Sequence, residues 1–368
     1  MRRVWGITLA VAVTLSLTPR AGSQQSSTPE KKSPAATKKI SPPAQKGSAS
    51  EENAPLILTS QIPLPGVHGR FDHFTFDPSE PARVFISALG NSSVEVIDPV
   101  KDSDVHSITG IPEPQGIVYA TGLNKLFVAS RKGKLYIYDG GDYKLITSID
   151  YNADVDNLRY DAASKRVYVG YGDEDKAAIG MVDAETNQRL DEAYKLPTHP
   201  ESYQLEKSGP NIYVNLMDLK LIGVIDRTTK KLTKWELPPK FGENFPMALD
   251  EADHRLMIVT RTPPRLVVYD TSSGKVVATQ PCVADVDDMY YDANHKRVYI
   301  PGGQGLIDVF EQKDADHYDR LARIPTTVGA RTAGYTPRVG KKGLDRIFLA
   351  VPYSPTREAG VWTYTVQE

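Results

Sequence analysis

The sequence predicts an all-β protein: a seven-bladed β-propeller with four-stranded blades, whose N-terminal strand completes the C-terminal blade. Three observations carry this prediction. One frame recurs seven times at a near-constant interval, each recurrence spells the same order of short strands, and the last lacks a strand that the first can supply.

The frame is plainest in "ADVDNLRYDAASKRVYV" from Ala153 and "ADVDDMYYDANHKRVYI" from Ala284, 131 residues apart. Asp156 and Asp287 hold the same place in the two stretches. Shorter copies align Asp72 in "GRFDHFTFD", Gln115 in "PEPQGIVYA", Glu201 in "HPESYQLE", Phe245 in "ENFPMALD" and Arg331 in "GARTAGYT". The spacings are 43, 41, 45, 44, 42 and 44 residues. After each anchor come a short apolar run and a turn, often opened by an aspartate (Asp77, Asp161, Asp250, Asp292). Asp side chains bond nearby backbone N–H groups, so these four are read as turn braces. A β-branched and aromatic strand follows, as in "RVFIS", "KLFVAS" and "NIYVN", then a hairpin and a third strand, as in "SVEVID", "KLYIYD" and "LIGVID". Alternation bounded by Gly, Pro, Asn and Asp reads as strands, and four strands in about 40–45 residues is the period of a propeller blade. The final unit stops at "VWTYTVQE", short of its fourth strand. "LILTSQIPL" from Leu56 supplies one, which closes the ring and removes an exposed sheet edge.

"RVYVG", "NIYVN" and "RVYIP", with V-x-V-I-D-like strands such as "SVEVID" and "LIGVID", resemble the YVTN-type β-propeller repeat of bacterial and archaeal extracytoplasmic proteins. The resemblance covers residues 56–368. It implies a secreted or periplasmic propeller and no particular reaction, because the matching positions are core and turn residues.

Residues 1–23 read as a secretory signal peptide: a basic "MRR", the apolar "VWGITLAVAVTLSL" and small residues at Ala21 and Ser23. Residues 24–55, rich in Ser, Pro, Lys and Gln, cannot bury enough apolar surface to offset their ordering entropy and read as a flexible linker. The expected location is therefore extracytoplasmic, periplasmic or secreted. A net charge of −2 argues against a nucleic-acid partner, and no apolar run of about eighteen residues suggests a transmembrane segment. The reading is of a monomer with an unidentified small-molecule or protein partner. Cys282 is the only cysteine, so no intrachain disulfide can form, and it reads as a buried small apolar residue.

In a propeller the first strand of each blade lines the central tunnel, so the anchors should ring one mouth. Their neighbourhood is crowded with ionisable groups. Carboxylates about 7 Å apart repel by roughly 2 kcal/mol at an effective dielectric near 20. Arg and His side chains could neutralise them, some could be protonated, or a metal could bind. Ca²⁺ suits the last option, since it takes six to eight oxygens in flexible geometry. Its candidate ligands are Asp72, Asp156, Asn157, Glu201, Asp287 and Asp288, and the candidate ligand-binding set is Arg70, His73, Gln115, His199 and Arg331. The alternative for the acids is local turn capping. Zn²⁺ fits less well, with no Cys cluster or H-E-x-x-H. No C-x-x-C-H haem attachment occurs, and "PGGQG" at Pro301 is a hairpin rather than a nucleotide phosphate loop, since no helix follows it. The second-to-third-strand loops, "GYGDEDKAAIG", "TRTPPR" and "PYSPTREAG" among them, should share the anchor face.

No nucleophile elbow occurs, so hydrolysis by a serine triad finds no support. The favoured function is binding of a ligand or protein partner at the tunnel mouth, without catalysis. The alternatives are a Ca²⁺-dependent hydrolase of lactones or phosphoesters, with His73 or His199 moving protons, and a structural member of an envelope assembly.

Overall fold

The computed structural model describes residues 54–79, 81–339 and 343–368. The signal peptide and nearly all of the linker lie outside the described residues. The chain forms seven four-stranded antiparallel sheets; six run outward in sequence order from an inner strand, and the seventh takes its outermost strand from the N-terminal Leu56–Pro63. The inner strands of blades 1 to 7 are Phe74–Asp77, Pro114–Ala120, Val155–Asp161, Tyr203–Leu205, Gly242–Asp250, Tyr290–Asp292 and Ala333–Val339. The closure expected from sequence is present: Leu56–Pro63 pairs antiparallel with Gly360–Val366, from Leu56 opposite Val366 to Pro63 opposite Gly360. No helix among the described residues is long and apolar enough to cross a membrane.

The repeated second strand shows why this sequence makes blades. In Arg83–Ala88 every residue after the first is buried. Successive side chains point to opposite faces. Val84 and Ile86 therefore pack toward blade 7, while Phe85 packs toward blade 2. A strand covered on both faces needs a continuous apolar run, and the sequence supplies one in every blade. The core is accordingly divided into seven apolar clusters, one at each seam between neighbouring blades, including the seam between blades 7 and 1. The turn aspartates do brace turns: Asp77 accepts from the Ser79 N–H, Asp161 from Ala163, Asp250 from Asp253, and Asp292 from Asn294 and His295. Cys282 is partly buried against the blade 5–6 seam, and burial pushes its thiol pKa up to about 12.

Close approach at the tunnel sets one glycine. A Cβ on Gly116 would lie 2.1 Å from the carbonyl oxygen of Asp156 on the next blade. Only glycine lets blades 2 and 3 meet there.

Candidate functional site

The inner strands enclose a channel with two connected chambers. The mouth chamber has a volume of about 340 Å³ and is lined by ten of the eleven candidate residues: Arg70, Asp72, His73, Gln115, Asp156, Asn157, His199, Glu201, Asp287 and Arg331. The eleventh, Asp288, lies one step deeper, in an inner chamber of about 380 Å³ that shares His73 and Ser202 with the mouth. The ring thus gathers groups from all parts of the chain. Second-to-third-strand loops share this face, as expected: Arg131, Asp173 and Asp218 line the mouth from blades 2, 3 and 4, joined by Arg261 at the end of the second strand of blade 5. At the start of three blades the backbone turns through positive φ at a non-glycine residue, Glu113 (44°), Glu243 (58°) and Asp285 (56°). Such conformations are uncommon, and here they recur at one structural position two residues before the anchor.

The acids are interleaved with cations. Arg70 donates to Asp72 at 3.0 Å. His73 sits at the centre, its Nδ1 3.1 Å from Asp288 and its Nε2 3.4 Å from Asp72 and 4.0 Å from Asp156. His199 approaches Asp156 at 3.6 Å, while its Nδ1 lies 2.9 Å from the Gly172 carbonyl oxygen. Asp287 receives two guanidinium groups, Arg261 at 2.5 Å and Arg331 at 3.0 Å. Arg261 also lies 3.6 Å above the Phe245 ring, which gives the one apolar anchor a role through a cation–π contact.

This pairing sets the protonation states. Burial disfavours the His73 imidazolium, but Asp72 and Asp288 outweigh it and raise the pKa to about 10. His199 is likewise opposed by burial and raised by Asp156, to about 9. Both imidazoles are cations at neutral pH, a state in which neither can accept a proton as a general base. Burial also opposes ionisation of Asp156, yet His199 and His73 hold its pKa below the ordinary carboxylate value. Asp72 is raised, by burial first, with His73 and Arg70 opposing. Glu201 differs from these. Its carboxylate has no ion-pair partner among the described residues, and burial followed by the charge of Asp156 raises its pKa to about 8. Asp154 is raised to about 6 by the same two causes.

Three oxygens in this region are buried without a hydrogen-bond donor: Gln115 Oε1, Asp154 Oδ1 and Asp156 Oδ1. They mark where the mouth is short of donors. As a Ca²⁺ cage the six expected ligands do not close around one point. Among the described His, Cys, Asp and Glu side chains at the mouth, Asp72, His73 and Asp156 bring ligand atoms within 4.8 Å of one another, and one of them is an imidazole. Asp288 is held by His73 and the Ala333 N–H, Asp287 by two arginines, and Asn157 Oδ1 accepts from Arg159 at 3.4 Å. A hard cation needing six to eight oxygens would have to displace these groups.

Arg131 and Asp173 fell on loops expected at this face, and Arg261, in the expected stretch "TRTPPR", lies at the end of the strand leading into its loop. Asp154, Asp218 and Arg159 carried weaker signals. Asp154 stands two residues before an anchor, Asp218 lies in a short turn, and Arg159 is the one charged residue at the third position after an anchor.

No protein-family model matches the chain. Among curated proteins, the uncharacterized protein YncE of Salmonella typhi is 25% identical over 159 residues, 42% of this chain. The match spans 44% of that relative, less than half its length. Among solved structures, a chain of the mitotic checkpoint complex superposes with a TM-score of 0.69 at 12% identity, covering 91% of this chain and 99% of its own. A chain of Kuenenia stuttgartiensis hydrazine synthase superposes at 0.66 with 15% identity, covering 83% and 99%. These likenesses are of propeller fold alone.

Proposed function

We propose that this chain is an extracytoplasmic propeller of the YVTN-repeat type that binds, without catalysis, a small ligand carrying an ammonium group at its tunnel mouth. The observation that carries the reading is the carboxyl of Glu201, which lines the mouth with no ion-pair partner among the described residues, next to acceptor oxygens of Gln115, Asp154 and Asp156 that are buried without a donor. A buried acceptor left unmet costs about 1–3 kcal/mol. An ammonium brings three N–H donors and no acceptor, so it answers this deficit without adding another. The pKa of Glu201 is raised by burial first and by the charge of Asp156 second, and a bound cation opposes both. The extracytoplasmic part rests on the basic start, apolar run and small residues of residues 1–23.

The test is calorimetric titration and thermal melting with ethanolamine and putrescine, against ethylene glycol as the uncharged control and CaCl₂ with and without chelator. The amines are expected to bind and raise the melting temperature, the glycol to do neither, and Glu201→Gln to weaken the amines. Binding should tighten as pH rises from 6 to 8, because the cation must expel the Glu201 proton. Equal behaviour of amine and glycol, or no binding of either, overturns the ammonium reading. A shift produced by Ca²⁺ alone and reversed by chelator replaces it with the metal site.

A further inference from the structure

The inner chamber holds a different chemistry from the mouth. About half of its wall is apolar, with Phe74, Met247 and Met289 among the lining residues, and among the described residues its charged lining groups are His73, Asp288 and Arg159. The first two are committed to each other, and Asp288 takes a further bond from the Ala333 N–H at 3.0 Å. Arg159 has no carboxylate within ion-pair distance among the described residues. Its Nη1 donates to the Leu158 carbonyl at 2.7 Å and to Asn157 Oδ1 at 3.4 Å, and its Nη2 to Ser202 Oγ at 3.2 Å. The Tyr203 ring supports the guanidinium from 5.3 Å. A guanidinium has five N–H groups. These three bonds leave two without a protein acceptor, the Nε–H among them.

The geometry points to a second binding site in this chamber, for a small monocarboxylate with an apolar body, held by Arg159. The guanidinium fork matches a carboxylate bidentately, and charge-assisted bonds of this kind are about twice as strong as neutral ones. A chamber of about 380 Å³ falls in the range of small-molecule sites, which are mostly apolar with a few fixed polar groups. Arg159 is held in place by its bonds to Leu158 and Ser202 before any ligand arrives, so little ordering cost remains for binding. This site is separate from the ammonium reading of the mouth, and each can fail without the other.

The test uses benzoate, with isosteric uncharged benzamide as control, by calorimetry or ligand-observed NMR on the whole mature chain. Benzoate is expected to bind about tenfold or more tightly than benzamide. Arg159→Met should abolish that preference, and Arg159→Lys, which keeps the charge but not the fork, should retain part of it. Melting temperatures of both variants check that they fold, and the lysine variant serves if the methionine one does not. Glu201→Gln should leave benzoate affinity within about twofold. The proposal is overturned if benzoate does not bind, if benzamide binds equally well, if a folded Arg159 variant keeps the full preference, or if Glu201→Gln abolishes it.

Discussion

Replacing His73 by alanine should destabilise the propeller in a way that depends on pH. The imidazole lies 3.1, 3.4 and 4.0 Å from Asp288, Asp72 and Asp156. At an effective dielectric near 20 each contact is worth about 4–5 kcal/mol of attraction. Desolvating the ions takes back most of this, and removal of one partner from a buried pair typically costs about 3–5 kcal/mol. In the parent, His73 has its pKa raised from 6.5 to about 10, so its contribution is complete below about pH 6.5 and is lost as pH rises through 10. In His73→Ala the three carboxylates face one another with Arg70 and His199 as the remaining cations. Acid relieves them, since Asp72 protonates readily. The destabilisation is therefore expected to be largest near about pH 6.5–7, to fall toward pH 9 as the His73 contribution titrates away, and to shrink toward pH 5 as the carboxylates protonate. Urea unfolding of parent and variant at pH 5, 7 and 9 measures it. A cost under about 1 kcal/mol at pH 7, or one that does not change with pH, would refute the assignment of His73 as the central counter-ion.

Other outcomes follow from the packing. Gly116→Ala drives a Cβ into the Asp156 carbonyl, and it should cost about 1–3 kcal/mol in denaturant melts; a variant as stable as the parent would mean the blades can part there freely. Removing residues 1–63 strips the outer strand from blade 7, leaving Gly360–Val366 as an open edge. Loss of cooperative unfolding and concentration-dependent aggregation by light scattering are expected, and an intact cooperative monomer would contradict the closure. Cys282, its thiol raised to about 12 by burial, should resist iodoacetamide at pH 8 in the native protein and react promptly in urea. Rapid native labelling would disprove its burial.

The ring was legible because each blade must bury both faces of its strands, which imprints the same apolar runs and turn aspartates on every unit. The gathering of Asp72, Asp156, Glu201 and Asp287 at one mouth followed from that period alone. How these acids are satisfied did not. His73 meets Asp288 across 215 residues, and Arg261 reaches Asp287 from the end of the second strand of the preceding blade. Such pairings depend on rotamers and on the closing of the ring, neither of which has a sequence period. Of the residues expected as Ca²⁺ ligands, Asp72, Asp156, Asp287 and Asp288 face guanidinium or imidazole groups, while Glu201 has no ion-pair partner among the described residues. Arg159 stood out in the sequence only as the one charged residue at its place in the frame; the lack of a carboxylate within ion-pair distance, which sets it apart, has no sequence signal.

The seam between the two ends of the chain makes assembly order matter. Thr59 and Thr363, 304 positions apart, bond side by side in the sheet that locks the circle. The strand Leu56–Pro63 has no sheet partner until Gly360–Val366, at the other end of the chain, is in place. Contacts so distant along the chain form slowly. The interval before the clasp shuts is when the protein is most exposed to capture by another copy or by a chaperone, and mutations that weaken the clasp should reduce yield more than they disturb the finished molecule.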